Sequence, residues 1–349
     1  MKPLKIPGIG VELKDEMFDF LTYEQMKEYV LSPGYVFYFP RKGNPKMILR
    51  AGESVRDSLV ESLTQRGVKN FKVYKIIDTK KTDSIVSKIR KLKLDNDEEV
   101  RLLAREEILL WFKKIYWDGV DNGALLDLIL SMNKEFYDVP DYVMDKILTT
   151  GLTFYNRAFR IASFSVISLL ILGCYDYQFL KEFYNTCLVL DYGLFEMPPS
   201  YHVIKAIETE HTKSGSGLHY LNEKNVSLKD KETFIQHVNV YLDSATSEEM
   251  TYPELLNLIS LHHELSDGSG FPKGLKAGEL LDFETVVCFM DRMFGFENLN
   301  YLQGDGKSFF KNQLLVVQGK REQHNVGIER VVGRIFNYFD SDVKKERAA

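Results

Sequence analysis

Apolar positions recur at helical spacing along most of this chain. Val100, Leu103, Ile108, Trp111, Phe112 and Ile115 form one broad face and predict a helix that opens near Asp97. A break rich in Asp, Gly and Asn at 118–123 separates it from a second helix over 124–136. Asp138 to Pro140 ends that one, because the residue before a proline is pushed out of the helical region. The same spacing predicts helices over 141–150, 154–172, 177–190, 229–243, 252–263, 282–294 and 326–339. No strand alternation competes with them, and no internal repeat is visible.

The first part of the chain reads differently. Residues 35–39 are aromatic and β-branched, 41–45 supply a Gly-Asn-Pro turn, and 47–50 give a second strand, so a hairpin is expected. Val55, Leu59, Val60 and Leu63 mark a helix over 53–65 closed by Gly67, and 71–77 return as a strand. Between 75 and 93 lysines and arginine are dense, and 95–99 turn acidic. That stretch reads as a solvated linker before a helix whose acids sit at its positive end; its other reading is an electrostatic docking surface for a protein partner. The expected organisation is mainly α: a small α/β N-terminal domain over 1–95, a helical connector over 96–140, and a helical domain over 141–349.

Composition narrows the function classes. A hydrophobic share of 44% and a charged share of 27% are those of an ordinary globular protein, with enough length for two cores. The formal net charge of -5 argues against a dedicated nucleic-acid polymer binder. Cys174, Cys187 and Cys288 lie inside apolar helical patterns without metal-ligand spacing, as reduced core residues of a cytoplasmic protein do. The N-terminus lacks the apolar core of a secretory signal. The longest apolar run, 161–173, is about thirteen residues where a bilayer needs roughly twenty, so no membrane span is expected.

The candidate chemistry is concentrated at 262–275, HHELSDGSGFPKGL. Two adjacent histidines end an apolar helical segment, carboxylates follow, and glycines and a proline set a tight turn. Doubled histidine beside carboxylates and a glycine-defined loop points to a metal or phosphate site; a capped helix end with a polar turn is the plainer reading. The block His262, His263, Glu264, Asp267, Gly268, Gly270, Phe271, Pro272, Gly274 and Leu275 resembles the HD-GYP signature HHExxDGxGYPxGL, with Phe271 in place of the tyrosine. That family comprises bacterial metal-dependent phosphodiesterases of cyclic di-GMP, and the resemblance implies an HD-superfamily helical bundle for 141–349.

Other family motifs map onto the chain more sparsely. LVLDYGLFEMP, 188–198, is similar to LLHDIGKxxIP: Asp191, Gly193 and Pro198 match, whereas Leu190 and Leu194 stand where the family has His and Lys. His237 follows SLKDKETFIQ, and an insertion around 210–225 lengthens the spacing before it. Asp291 matches a later family Asp, with Phe294 at the second. A ligand histidine upstream corresponds to Arg157 in FYNRAFRIA. The resemblance therefore implies a metal set of Asp191, His237, His262, His263 and Asp291, suited to iron, manganese or zinc. With two ligand positions lost, it implies one ion or none.

Arg157 carries two readings. In one, its guanidinium lies near Asp191 and Asp291 and supplies the charge of a lost metal without generating hydroxide. In the other, it is displaced onto the surface. Asp267, Gly268, Gly270, Phe271, Pro272 and Lys273 form the implied ligand-binding loop. There the ring of Phe271 retains stacking but not the phenol's hydrogen bond, and Lys273 is either a phosphate contact or solvated. His202, His211 and His219 could supply a substitute ligand; His324 is the remaining histidine. Three functions follow: a degenerate HD-GYP protein that binds cyclic di-GMP or a protein partner with little or no hydrolysis, an active metal phosphodiesterase yielding pGpG or GMP, or a scaffold without nucleotide affinity.

Overall fold

The computed structural model describes residues 4–5, 12–39, 45–94, 97–114, 123–197, 200–210, 226–240, 251–265, 267–276, 278–296, 331, 333–335 and 337–338. The described N-terminal elements are β1 (Leu4–Lys5) and β2 (Glu12–Leu13), which pair with each other, then β3 (Asp19–Thr22), α1 (Tyr23–Lys27), β4 (Gly34–Tyr38), β5 (Lys46–Leu49), α2 (Asp57–Gln65) and β6 (Asn70–Lys75). The expected hairpin is present: Val36 faces Leu49 and Tyr38 faces Lys46 across an antiparallel pair. Its turn at 41–44 lies outside the described residues. β3, β6, β4 and β5 form one antiparallel sheet in that spatial order.

Alternation along the inner strand β4 divides the sheet's two faces. Val36 packs with Leu21, Val60, Phe71 and Val73 in a small core that includes α2. Tyr35 and Phe37 point the other way and join the main core with Ile85, Ile89 and Ile108. The helix expected from residue 53 begins at Asp57. The carboxylate of Glu53 instead accepts from the Arg50 N–H at 2.8 Å, and its carbonyl accepts from Ser32, which commits 50–53 to a turn.

The basic segment is not a linker. Residues Thr79–Lys91 form α3, capped by Asp78, whose carboxylate accepts from the Lys80 N–H at 3.0 Å. Ile85, Val86 and Ile89 are buried at helical spacing among the lysines. Several of its charges are answered within the chain: Arg90 and Lys93 pair with Glu135, and Lys91 with Glu107.

The remaining helices are α4 (Glu98–Phe112), α5 (Ala124–Phe136), α6 (Asp141–Thr150), α7 (Leu152–Leu172), α8 (Tyr177–Leu188), α9 (Gly193–Glu196), α10 (Ser200–Glu210), α11 (Leu228–Gln236), α12 (Asn257–Leu261) and α13 (Asp282–Met293). Asp97, Asp176 and Ser227 cap α4, α8 and α11 through their side chains. The long helix expected over 229–243 gives way to a 3-10 turn at His237–Asn239, and the one expected over 252–263 starts as a 3-10 turn at Pro253–Leu256. Residues 331, 333–335 and 337–338 are helical; the rest of the helix expected over 326–339 lies outside the described residues, as do 198, 211–225 with His211 and His219, and His324.

α7 is the axis of the helical part and is buried on every side from Phe159 to Ile171. Its 21 residues exceed the apolar run counted in the sequence and are long and apolar enough to cross a membrane, but 89% of the qualifying window is buried, as in a core helix. Arg105 closes its C-terminal end by donating to the carbonyls of Leu170, at 2.5 Å, and Ile171, at 3.3 Å.

Candidate functional site

Four segments converge beside the N-terminal half of α7. The turn between α8 and α9 supplies Asp191, the 3-10 turn after α11 supplies His237, and the end of α12 supplies His262 and His263. α13 supplies Asp291, and α7 itself supplies Arg157. One ligand atom from each of Asp191, His237, His262 and His263 lies within 4.8 Å of every other. The histidines and Asp291 are fully buried, and the Asp191 side chain is 14% exposed.

Backbone geometry makes this convergence possible. Gly193 opens α9 directly against the turn of His237: a Cβ there would sit 2.1 Å from the His237 carbonyl oxygen. The residue after Asp191 and Tyr192 must therefore be glycine if Asp191 and His237 are to face each other. Gly270 has the same role in the loop, where a Cβ would come within 2.2 Å of the Leu265 nitrogen.

The histidine rings are oriented from behind. His262 Nδ1 lies 2.8 Å from the Ile259 carbonyl, and His237 Nδ1 meets the Phe234 carbonyl. A carbonyl only accepts, so both Nδ1 atoms carry hydrogen and both Nε2 atoms of the neutral rings present lone pairs. Those Nε2 atoms lie 3.6 and 3.7 Å from Asp191 Oδ1 and have no hydrogen-bond partner. Both ring nitrogens of His263 and Asp291 Oδ2 are likewise buried without one. Acceptors facing acceptors in a buried pocket repel unless a cation or a proton lies among them.

Electrostatics agree with that reading. Burial pushes His237 down to about 3 and His263 to about 4, so both rings are neutral, the form that ligates a metal. Burial also lowers His262, but the adjoining Asp191 and Asp291 carboxylates outweigh it and raise the group above its ordinary value. Burial raises Asp191 and Asp291; for Asp191 the His262 ring and the Arg157 charge, and for Asp291 the Arg157 and His263 charges, hold each below the usual carboxylate range. Three imidazoles with unpartnered ring nitrogens, two of them oriented by backbone carbonyls, and the Asp191 carboxylate fit a first-row divalent ion.

Arg157 is buried, 1% exposed, and is not displaced to the surface. Its Nε donates to the Phe294 carbonyl at 2.6 Å, Nη1 to Asp191 Oδ2 at 3.2 Å, and Nη2 to Asp291 Oδ1 at 2.5 Å and to the Asp291 carbonyl. Cζ lies 4.8 Å from the Phe296 ring centroid. Leu190 and Leu194 are core residues, buried away from water.

The loop residues are placed by Glu264, a role that sequence reading did not assign. Its buried carboxylate accepts from the backbone N–H groups of Lys273, at 2.6 Å, and Leu275, at 2.8 Å. Asp267 does not join the cluster; its Oδ1 accepts from Ser269 N–H and Oγ at 2.9 and 2.6 Å and shapes the turn. Gly268 sits beside it at φ 81°, and Pro272 follows Phe271. Phe271 packs on His263, with ring centroids 4.9 Å apart, and the side chain of Lys273 is exposed. Phe234, also missed, lies 5.2 Å from both the His237 and His263 rings and walls the cluster; its place three residues before His237 on one helix face is the signal that would have found it. His202 pairs with Asp230 and takes no part in the cluster.

No protein-family model and no curated protein matches this chain. A solved structure described as Bd1817, a HDG"Y"P protein from Bdellovibrio bacteriovorus, is similar over 94% of this chain and 99% of its own, with 13% sequence identity and a TM-score of 0.33. The similarity is distant.

Proposed function

We propose that the chain is a degenerate HD-GYP-type signalling protein that binds cyclic di-GMP at this centre with little or no hydrolysis. The motif block at 262–275 supports the family and ligand class. The observation that carries the loss of turnover is Arg157, whose guanidinium bridges Asp191 and Asp291 where the family motif has a metal-ligating histidine. Asp191, His237, His262 and His263 would hold a divalent ion of iron, manganese or zinc. Such an ion supplies positive charge for a phosphate and lowers the pKa of water. Lys273, exposed at the loop's tip, adds a cation for the ligand, and the loop's shape is fixed by Glu264 rather than by the ligand.

The test is calorimetric titration with cyclic di-GMP alongside a turnover assay with iron, manganese and zinc under reducing conditions. Binding without turnover is the expected result. Turnover at rates ordinary for enzymes, about 1–10³ per second, would overturn the reading. A flat titration would leave the helical part as a protein-interaction scaffold. The second reading, an active phosphodiesterase giving pGpG or GMP, is favoured by the three unsatisfied histidines, which are more than a purely structural cluster requires.

A further inference from the structure

We propose that Arg157 is a built-in cation beside the candidate ion cluster, so that the chain takes one divalent ion and stays assembled when that ion is removed. The inference rests on the reading of Asp191, His237, His262 and His263 as an ion site, and it concerns what the neighbouring arginine does to that site.

The guanidinium uses all its nitrogens on the centre. It joins α7 to the side chain and carbonyl of Asp291, to the Phe294 carbonyl one turn on, and to Asp191 in the α8–α9 turn. Asp191 divides its oxygens accordingly: Oδ2 faces Arg157, and Oδ1 faces His237 and His262. One carboxylate thus looks to a fixed cation on one side and to the unsatisfied histidines on the other. Asp291 divides likewise, Oδ1 to Arg157 and Oδ2 towards His263 Nδ1 at 3.3 Å.

Charge counting sets the capacity. Two buried carboxylates against one guanidinium leave a single negative charge with neutral histidines, which one ion more than answers. A second divalent ion beside a buried, permanently charged guanidinium would bring like charges together in a site with little water to screen them. An arginine differs here from a metal in one further respect: it cannot dissociate, so the three segments remain tied in the metal-free protein.

The test uses the full-length chain in two arms. In the first, Co²⁺ is titrated into chelator-treated wild type and into Arg157→His/Leu190→His, followed by visible absorption. One equivalent is expected in the wild type and two in the double variant. Two equivalents in the wild type, or one in a folded double variant, would overturn the proposal.

In the second arm, metal-free wild type, Arg157→Lys and Arg157→Gln are unfolded in urea. Wild type unfolds cooperatively without metal. Arg157→Gln loses on the order of 100-fold in its folding equilibrium, because it leaves two carboxylates uncompensated. Arg157→Lys, which keeps the charge but not the fork of contacts, falls between them. Equal stability of all three would overturn the built-in cation. If wild type binds no Co²⁺, the ion-site reading fails by itself, and the unfolding arm alone decides for or against the role of Arg157. Should Arg157→Gln not fold, Arg157→Lys decides: an intermediate loss supports the proposal and no loss overturns it.

Discussion

His262 shows how one residue can be anchored from behind and still present a free donor to the centre. Its Nδ1 is committed to the Ile259 carbonyl, so every change at the centre is expressed at Nε2, which faces Asp191. Without an ion, protonation of Nε2 is the way to satisfy that oxygen, which is why the group is raised above its ordinary value by the carboxylates despite burial. The proton contributes stability to the metal-free fold below the unfolded histidine's pKa, and that contribution is lost as pH rises through the raised folded value. An incoming ion must displace the same proton. Affinity for Zn²⁺ or Co²⁺ should therefore fall about tenfold per pH unit below the His262 pKa, with one proton released per ion bound. His237, at about 3, and His263, at about 4, do not compete above pH 5.5. Competition titrations from pH 8 to 5.5, with proton release read in buffers of different ionisation enthalpy, check this; affinity independent of pH would contradict it.

At the scale of elements, the centre depends on short segments meeting at close range. α9 and the 3-10 turn of His237 touch through Gly193, and any side chain there would drive the two apart. Gly193→Ala should cost about 1–3 kcal/mol in stability through overpacking and should weaken ion binding roughly 10–100-fold by turning His237 away from Asp191. Urea unfolding with and without metal separates the two effects. This contact also marks how far the sequence could be read. Long helices such as α5 and α7 and the β4–β5 hairpin follow from local periodicity. His262 and His263 stood out as a doubled histidine beside carboxylates and a glycine-set loop, whereas Asp191, His237 and Asp291 were named only through the family resemblance. The close approach at Gly193 and the clamp of Glu264 on Lys273 and Leu275 are closed by tertiary packing, and no local pattern encodes them. α3 failed for a different reason: its three buried apolar residues are outnumbered by basic residues, of which Arg90 and Lys91 reach acids on other helices.

On the scale of the whole molecule, α3 decides how the two architectures are coupled. Ile85 and Ile89 belong to the same continuous core as Tyr35 and Phe37 on the sheet and Ile108, Leu128 and Phe164 on the helices. Thr82 hydroxyl and the Asp78 N–H both reach the buried carboxylate of Asp127 on α5, at 2.9 and 3.1 Å. An apolar core and a buried polar bridge crossing the same helix leave little means for the sheet to open while the helices stay closed. Ile89→Ala, at a fully buried position, should then cost about 2–5 kcal/mol, and the loss should fall on both parts. Hydrogen exchange measures this directly. Amides of β6 and of α7 should lose protection by the same free energy in the variant, as members of one cooperative unit. A loss confined to β4 and β6 would instead mean that the sheet is an independent folding unit docked on the helices, and that α3 does not couple the sheet to the centre beside Arg157.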